Sequence, residues 1–378
     1  MFVKVLVTGA TGRVGGNLIK ELTEKGYEIK AFTLPSDKAE EKILKFGVEL
    51  CEGDLRKSDD CARACRDIDA IIHLGAYFPQ SGLDKETAER TAEEITRITF
   101  DVNVLGTFNL LEASVRYCKR CKRFVFASSE GVYPEWLPVY LPIDERHPCR
   151  PTGHMYLISK LLGEDLVLGY HRQYGLPVVI CRFGSIIGAG EILDPRYNNS
   201  LYHFSHANFW LNGLRQLKEK SEEAERAIER LEKEAKDDEK LIIPYRKTDG
   251  KPLQRHLVDV RDIVQGVLLA LEKKEAIGEV FNLSGPLPSD LEQLVLHMSK
   301  LLGVAYTKMV MPEDVSRFLW TGVIPYYAIS SEKARYLLGY KPRYTMIDMV
   351  DSAIAFQKGE DIGVLERLQP KIPPRLSD

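Results

Sequence analysis

Val3-Lys4-Val5-Leu6-Val7-Thr8-Gly9-Ala10-Thr11-Gly12-Arg13-Val14-Gly15-Gly16 stands near the start of the chain and decides its fold. Val3 to Val7 is a short β-branched-rich run that reads as a strand. It stops at Thr8-Gly9, and an amphipathic helix follows with Leu18, Ile19 and Leu22 on one side. A strand, a glycine turn and a helix start form an anion-binding arrangement. Glycines let the backbone approach a pyrophosphate, whose charge meets free N–H groups at the helix N-terminus. A glycine turn can be purely structural, but its place after the first strand favours the nucleotide reading.

Strand and helix patterns alternate from there. Glu28–Thr33, Val48–Cys51, Ala70–His73 and Arg123–Ala127 read as strands with helical segments between them. Alternation of this kind predicts a parallel sheet covered on both faces. Asp54-Leu55 follows one strand end, where a carboxylate can accept from an adenine amino group. His73-Leu74-Gly75-Ala76 closes another, where small residues let a flat cofactor lie close.

Further along, Tyr156-Leu157-Ile158-Ser159-Lys160 places a phenol and an ammonium one helical turn apart, on one face. An ammonium beside a phenol favours the phenolate and lowers a pKa that is otherwise about 10. The phenol then becomes a usable general acid/base. Alone, such a pair often marks only a solvated helix face; the glycine loop upstream gives it weight.

The bulk numbers fit an enzyme-sized globular chain. There are 378 residues, 44% of them hydrophobic, enough for a sizeable core and two lobes. A formal net charge of −3 with mixed signs excludes a basic nucleic-acid or anionic-membrane footprint. The first residues are too quickly broken by Thr8-Gly9 for a signal peptide, and no apolar run reaches membrane-spanning length. A soluble cytoplasmic protein is expected. The 7 cysteines argue against a complete disulfide framework. Cys118 and Cys121 fall within an apparent helix, Cys61 and Cys65 one turn apart on another, and His203-x-x-His206 is equally thin as a metal clue. A structural zinc site wants four ligands, so no metal is expected.

Taken in order, Thr8-Gly9-x-x-Gly12-x-x-Gly15, Asp54-Leu55, His73-Leu74-Gly75-Ala76, Asn103-Val104-x-Gly106-Thr107, Ser128-Ser129 and Tyr156-x-x-x-Lys160 resemble the extended short-chain dehydrogenase/reductase family. Its members are usually called NAD-dependent epimerase/dehydratases. The likeness runs to about residue 190 and resumes at Arg255-His256-Leu257-Val258-Asp259-Val260-Arg261-Asp262 and at Ser331-Glu332-Lys333-Ala334 through Leu338-Gly339-Tyr340-x-Pro342. It implies an α/β, Rossmann-type doubly wound parallel sheet over residues 1–184. A smaller α/β substrate lobe follows over 185–378, with some segments returning to the first domain.

By that resemblance Tyr156 is the proton donor/acceptor, Lys160 tunes it and binds the nicotinamide ribose, and Ser129 positions the substrate oxygen. Asn103 holds the helix and water path behind Lys160. Cofactor contacts are implied for Gly9, Thr11, Gly12, Arg13, Val14, Gly15, Thr33, Asp54, Leu55, Leu74, Gly75, Ala76, Asn103, Ser128, Tyr156, Lys160 and Phe183. Substrate contacts are implied for Ser129, Ser185 and Arg255.

Departures from the family pattern narrow the reaction. Dehydratases and decarboxylases place a glutamate where this chain has Gly131, so elimination lacks its base. Arg255 suits a diphosphate because its donors match phosphate oxygens. The family's phosphate-binding Asn is Ser185 here, and its usual Arg aligns with Trp320-Thr321-Gly322-Val323, which weakens such a clamp. Trp320, Tyr326 and Tyr327 suggest an aromatic wall. The leading expectation is NAD(P)-dependent hydride transfer at a secondary alcohol or ketone. Nucleotide-sugar epimerisation with tightly bound NAD is the alternative, and a non-catalytic NAD(P) sensor the weakest reading.

Thr33 stands where NAD-specific members carry an acid, followed by Leu34-Pro35-Ser36-Asp37-Lys38, so NAD and NADP both remain open. Residues 207–240 exceed the family pattern. Leu214, Leu217, Ser221, Ala224, Ile228, Leu231 and Ala235 recur at three- and four-residue steps, the seam of a helical hairpin that packs on its own subunit, joins a dimer or covers the cleft. The charged segment 77–100 is expected to border the substrate, the tail with Pro370, Pro373 and Pro374 to run extended, and the protein to form a homodimer.

Overall fold

The computed structural model describes residues 3–79, 90–134, 138–151, 153–194, 197, 200–236, 240–317 and 328–366. The expected aromatic wall at Trp320, Tyr326 and Tyr327, the tail prolines and residues 80–89 lie outside these. The side chain of His203 is also outside the described set.

Strands β1 (Lys4–Thr8), β2 (Glu28–Thr33), β3 (Glu49–Glu52), β4 (Ala70–His73), β5 (Arg123–Ser129) and β6 (Val178–Phe183) alternate with helices. The third strand sits one residue later than its sequence pattern suggested, and β5 runs two residues further, to Ser129. After β7 (Ser185–Ile187), β8 (Leu241–Arg246), β9 (Gln254–Arg255) and β10 (Leu257–Asp259), strand β11 (Val280–Leu283) returns to the main sheet. Two more, β12 (Ser289–Asp290) and β13 (Tyr306–Met311), complete the strands among the described residues.

The main sheet has seven strands in the order β11-β6-β5-β4-β1-β2-β3, every pair parallel. Strand period explains how one sequence covers two faces. Val5 and Val7 point to a core with Leu18, Ile19, Leu22, Ile263 and Val267. Leu6, between them, points to the opposite core with Phe32, Ile71, Leu110, Phe124 and Phe126. Helices Arg13–Glu24 and Val260–Glu272 cover the first face. Helices Ser58–Ala64, Gly106–Tyr117 and Met155–Tyr174 cover the second.

Two cysteine placements differ from the sequence reading. The helix Gly106–Tyr117 ends before Cys118, whose ψ of 74° leaves the helical region, so Cys118 and Cys121 sit on the turn into β5. Cys65 likewise caps its helix rather than lying within it.

A second core lies in the later part of the chain. Parallel strands β8 and β13 pack under helices Ala207–Gln216, Glu222–Glu234, Leu291–Leu302 and Met346–Gln357. The inserted stretch is a helical pair whose seam faces this core: Trp210, Leu214, Ala224 and Leu231 are buried there. Leu217, Ile228 and Ala235 are partly buried against the same core, whereas Ser221 does not continue the seam. Leu217 closes the first helix, and Ser221 caps the second by accepting from Ala224 N while donating to Asp314 Oδ2 at 2.5 Å.

Because Leu231 is fully enclosed, Leu231→Ala should lower unfolding free energy by about 2–5 kcal/mol. Urea titration of the purified variant checks this. An unchanged midpoint would mean that the inserted pair is peripheral to the lobe.

Candidate active site

Gly12 sits in extended conformation before helix Arg13–Glu24, and no side chain caps the first turn, so its N–H groups face outward. Two glycines shape the approach to them. Gly9 has φ +65°, and an added Cβ there would lie 2.8 Å from Gly75 N; at Gly15 it would lie 2.2 Å from Gly9 O. Both glycines are therefore needed for the loop to pack tightly at the start of the helix, the arrangement that fits a dinucleotide pyrophosphate. Thr11 is buried, while Gly12, Arg13 and Val14 line the partly open rim.

The strand ends around this loop are tied together. Thr8 Oγ1 contacts His73 Nδ1 at 2.7 Å and also accepts from Gly75 N, fixing Leu74-Gly75-Ala76 beside the glycine loop. His73 Nε2 reaches Thr107 Oγ1 at 3.0 Å, and burial pushes its pKa down to about 3, so the ring is neutral. Asn103 lies in a single π-helical turn, Asp101–Leu105. Its Oδ1 accepts from Tyr77 N, and its Nδ2 donates to Tyr77 O and Ser159 Oγ. Asn103 thus joins the loop after β4 to the helix that carries Tyr156 and Lys160.

That helix, Met155–Tyr174, is clamped one turn beyond Lys160. Glu164 accepts from Arg182 Nε and NH2 at 2.8 and 2.6 Å and from Ser128 Oγ at 2.5 Å. Arg182 also donates to Tyr133 OH, which donates to Asn282 Oδ1 on β11. Ser128 is therefore a helix anchor, whereas Ser129, the next residue, is half-buried and accepts only from Gly131 N among the described contacts.

Lys160 Nζ donates to Ala127 O at 2.9 Å and lies 5.6 Å from the centre of the Tyr156 ring. Burial pushes the Lys160 ammonium down to about 8, with Glu164 opposing. The Tyr156 phenol moves the opposite way from the sequence expectation. Burial pushes it up to about 12, and the opposing cation is Arg13 rather than Lys160. The reason is directional: Lys160 is held against the β5 carbonyl by the clamp. Phe78 packs edge-on to Tyr156, with ring centres 4.5 Å apart.

On the adenosine side, Thr33 Oγ1 donates to Glu40 Oε1 at 2.5 Å. Asp37 turns inward, a placement the sequence left open: its Oδ2 accepts from Thr11 Oγ1 and its Oδ1 from Ala39 N. Asp54 is gripped by the Arg56 fork at 2.6–3.0 Å. Burial raises the Asp54 pKa, but the Arg56 bonds outweigh it and leave the carboxyl below its ordinary value. Leu55 is buried against Gly106 and Gly75, and Phe183 closes β6 beneath the same crevice.

Beyond β6, Ser185 and Arg255 come together with Glu130, which directly follows Ser129. Ser185 Oγ donates to Glu130 Oε1 at 2.7 Å, and Arg255 acts on Glu130 by charge. The sequence reading missed Glu130, Glu164 and Glu191, which pairs with Arg13 at 2.6 Å. The signals were present for the first two, since Glu130 adjoins Ser129 and Glu164 is one turn from Lys160. Nothing in the sequence marked Glu191. At Gly131 a Cβ would meet Leu157 Cδ2 at 2.3 Å, so a larger residue there would require the Leu157 side chain to turn aside. No group of three or more metal-ligating side chains occurs among the described residues.

Comparison with known proteins agrees with this geometry. The model of the NAD dependent epimerase/dehydratase family matches residues 5–284. A short-chain dehydrogenase/reductase superfamily protein of Agrobacterium tumefaciens, solved with bound NAD, superposes with a TM-score of 0.73 at 31% identity, covering 94% of this chain and 98% of that one. The 3-beta-hydroxysteroid dehydrogenase of Mycolicibacterium neoaurum is 32% identical over 190 residues, 50% of this chain. That match spans 49% of the mycobacterial protein, about half the length of this curated relative. The UDP-glucose 4-epimerase of Streptococcus mutans is 26% identical over 360 residues, 92% of this chain and 94% of its own.

Gly15→Ala should weaken cofactor binding by at least about tenfold, because the methyl would collide with backbone in the loop that approaches the phosphates. Fluorescence titration with NADH measures this, and wild-type affinity would refute the cradle.

Proposed function

The chain belongs to the NAD dependent epimerase/dehydratase family, and from that premise we propose that it transfers hydride between NAD and a secondary alcohol or ketone, with Tyr156 as general acid/base. The observation that carries this reading is Tyr156 on the first turn of a helix that Glu164 and Asn103 hold beside Ser129 and the glycine loop.

NAD would be held by the glycine loop and Lys160, and would supply the hydride acceptor or donor. The chain's residues do the rest. Ser129 Oγ orients the substrate oxygen, and Tyr156 takes or gives that oxygen's proton. Lys160, with Arg13, supplies positive charge at this end of the cleft and holds the ribose. Phe78 excludes water from one edge of Tyr156. Asp37, Glu40 and Glu52 gather at the end of β2, where Ser36 N donates to Glu52. Three carboxylates there oppose a 2′-phosphate, which supports NAD over NADP.

A second reading, nucleotide-sugar epimerisation, is supported by the near full-length likeness to the Streptococcus epimerase and by Arg255. The two differ in how the cofactor is kept. Tyr156→Phe should lower kcat by about 10²–10⁴ while NAD still binds. Near-normal turnover would remove Tyr156 from the chemistry. Denaturing the wild-type protein should release little nucleotide; stoichiometric NAD would favour the epimerase.

We further propose a cytoplasmic homodimer. The cysteines found are free thiols, as a reducing compartment requires. Phe100, Leu105, Phe108, Ile158 and Leu162 are exposed on neighbouring helices, an apolar area that supports pairing with a second copy. Phe108→Glu should convert a dimeric mass to a monomeric one by light scattering. A monomeric wild type would discard the dimer.

A further inference from the structure

The far end of the cleft, at Glu130, Ser185 and Arg255, has no part in the proton and hydride movements above. Backbone pairing builds it. Strand β7 pairs with β10 so that Ser185 lies opposite Leu257, and Arg255 stands two residues before Leu257. Glu130 enters from the turn after β5. Ser185 Oγ donates to Glu130 Oε1, while Arg255, only 2% exposed, has its guanidinium 4.4 Å from the Phe204 ring centre.

Glu130 Oε2 is shielded from solvent and has no hydrogen-bond partner among the described residues. An enclosed carboxylate oxygen without a donor is costly, so a donor arriving on a ligand is its natural partner. Burial raises the Glu130 pKa to about 7, with Ser185 and Arg255 opposing, so an anionic carboxyl remains accessible near neutrality.

A diphosphate needs surplus positive charge, and here the guanidinium faces the Glu130 carboxyl, while Ser185 stands where the family pattern has a phosphate-binding amide. Hydroxyl groups both donate and accept. A guanidinium, a serine hydroxyl and a free carboxylate oxygen therefore match adjacent hydroxyls on a sugar or polyol. Resting on the hydride-transfer reading above, we propose that Glu130, Ser185 and Arg255 recognise an uncharged, polyhydroxylated substrate, with Glu130 Oε2 accepting from one of its hydroxyls, and that a nucleotide diphosphate is rejected there. In that oxidation the carbinol hydride goes to NAD and the hydroxyl proton to Tyr156; Glu130 orients and transfers nothing.

The test uses the full-length protein with NAD and a panel of free aldoses, hexitols and inositols, followed by NADH absorbance. In parallel, UDP and UDP-glucose are titrated calorimetrically. At least one panel member should be oxidised, and UDP should not bind at micromolar concentration. Glu130→Gln should raise KM for that substrate about tenfold with a smaller effect on kcat, the size of one charge-assisted hydrogen bond. The same variant should gain affinity for UDP. If Glu130→Gln fails to fold by thermal melting, Ser185→Ala provides the same KM readout without removing a charge.

Micromolar UDP binding by the wild type, no oxidation across the panel, or an unchanged KM in the variants would overturn the proposal. UDP-glucose turnover that is lost in Tyr156→Phe would overturn the substrate class alone. A polyol oxidised equally well by Tyr156→Phe would overturn the underlying hydride reading.

Discussion

The catalytic end of this molecule depends on one buried ion pair, Glu164 with Arg182. Both groups are nearly sealed from solvent, with side-chain exposures of 3% and 6%, and neither could be left there alone. Removing one partner of such a pair typically costs about 3–5 kcal/mol because an uncompensated charge remains. The pair is further satisfied by Ser128 on β5 and by Tyr133, which reaches Asn282 on β11. One network therefore ties the Tyr156–Lys160 helix to three adjacent strands. The position of the lysine against Ala127 follows from it, one turn away.

A second constraint acts on the opposite side of the crevice. The glycine loop approaches Leu74-Gly75 so closely that Gly9 has no room for a methyl group, and Gly15 has none because its helix packs on Gly9 and Ala10 of the same loop. Thr8 and His73 hold this approach with hydrogen bonds that involve no charge, since burial keeps the imidazole neutral. Two cations flank the glycine loop itself, Arg13 at the helix start and Lys42, whose Nζ donates to Gly12 O. Arg13 spans loop and cleft: it starts the helix at the loop, pairs with Glu191 and acts on the Tyr156 phenol.

The later part of the chain contributes a wall more than a machine. Its core of Trp210, Leu214, Leu231 and the methionines Met298, Met309 and Met349 is apolar and separate from the sheet cores. Strand β11 leaves it to complete the main sheet, and β7 and β9 carry Ser185 and Arg255 to the far end of the crevice. The inserted helical pair belongs to this core, which explains why its charged residues, such as Glu222, Arg226 and Glu229, face solvent.

Sequence by itself determined five strands of the sheet, the glycine loop and the Tyr156–Lys160 spacing, because these are local: strand period, turn chemistry and helical repeat act over a few residues. Strand β6 and the returning β11 emerged only in the folded chain. Sequence also carried the helical pair in the insertion, although Ser221 became a cap where the pattern predicted a seam. Tertiary structure alone decided the electrostatics. Whether Lys160 or Arg13 acts on Tyr156, whether Asp37 turns inward, and whether Asp54 is held by Arg56 depend on directions and burial. The same holds for Glu130 meeting Ser185 and Arg255 across 55 and 125 residues of chain. Charges interact through distance and dielectric, and only the folded chain sets either one.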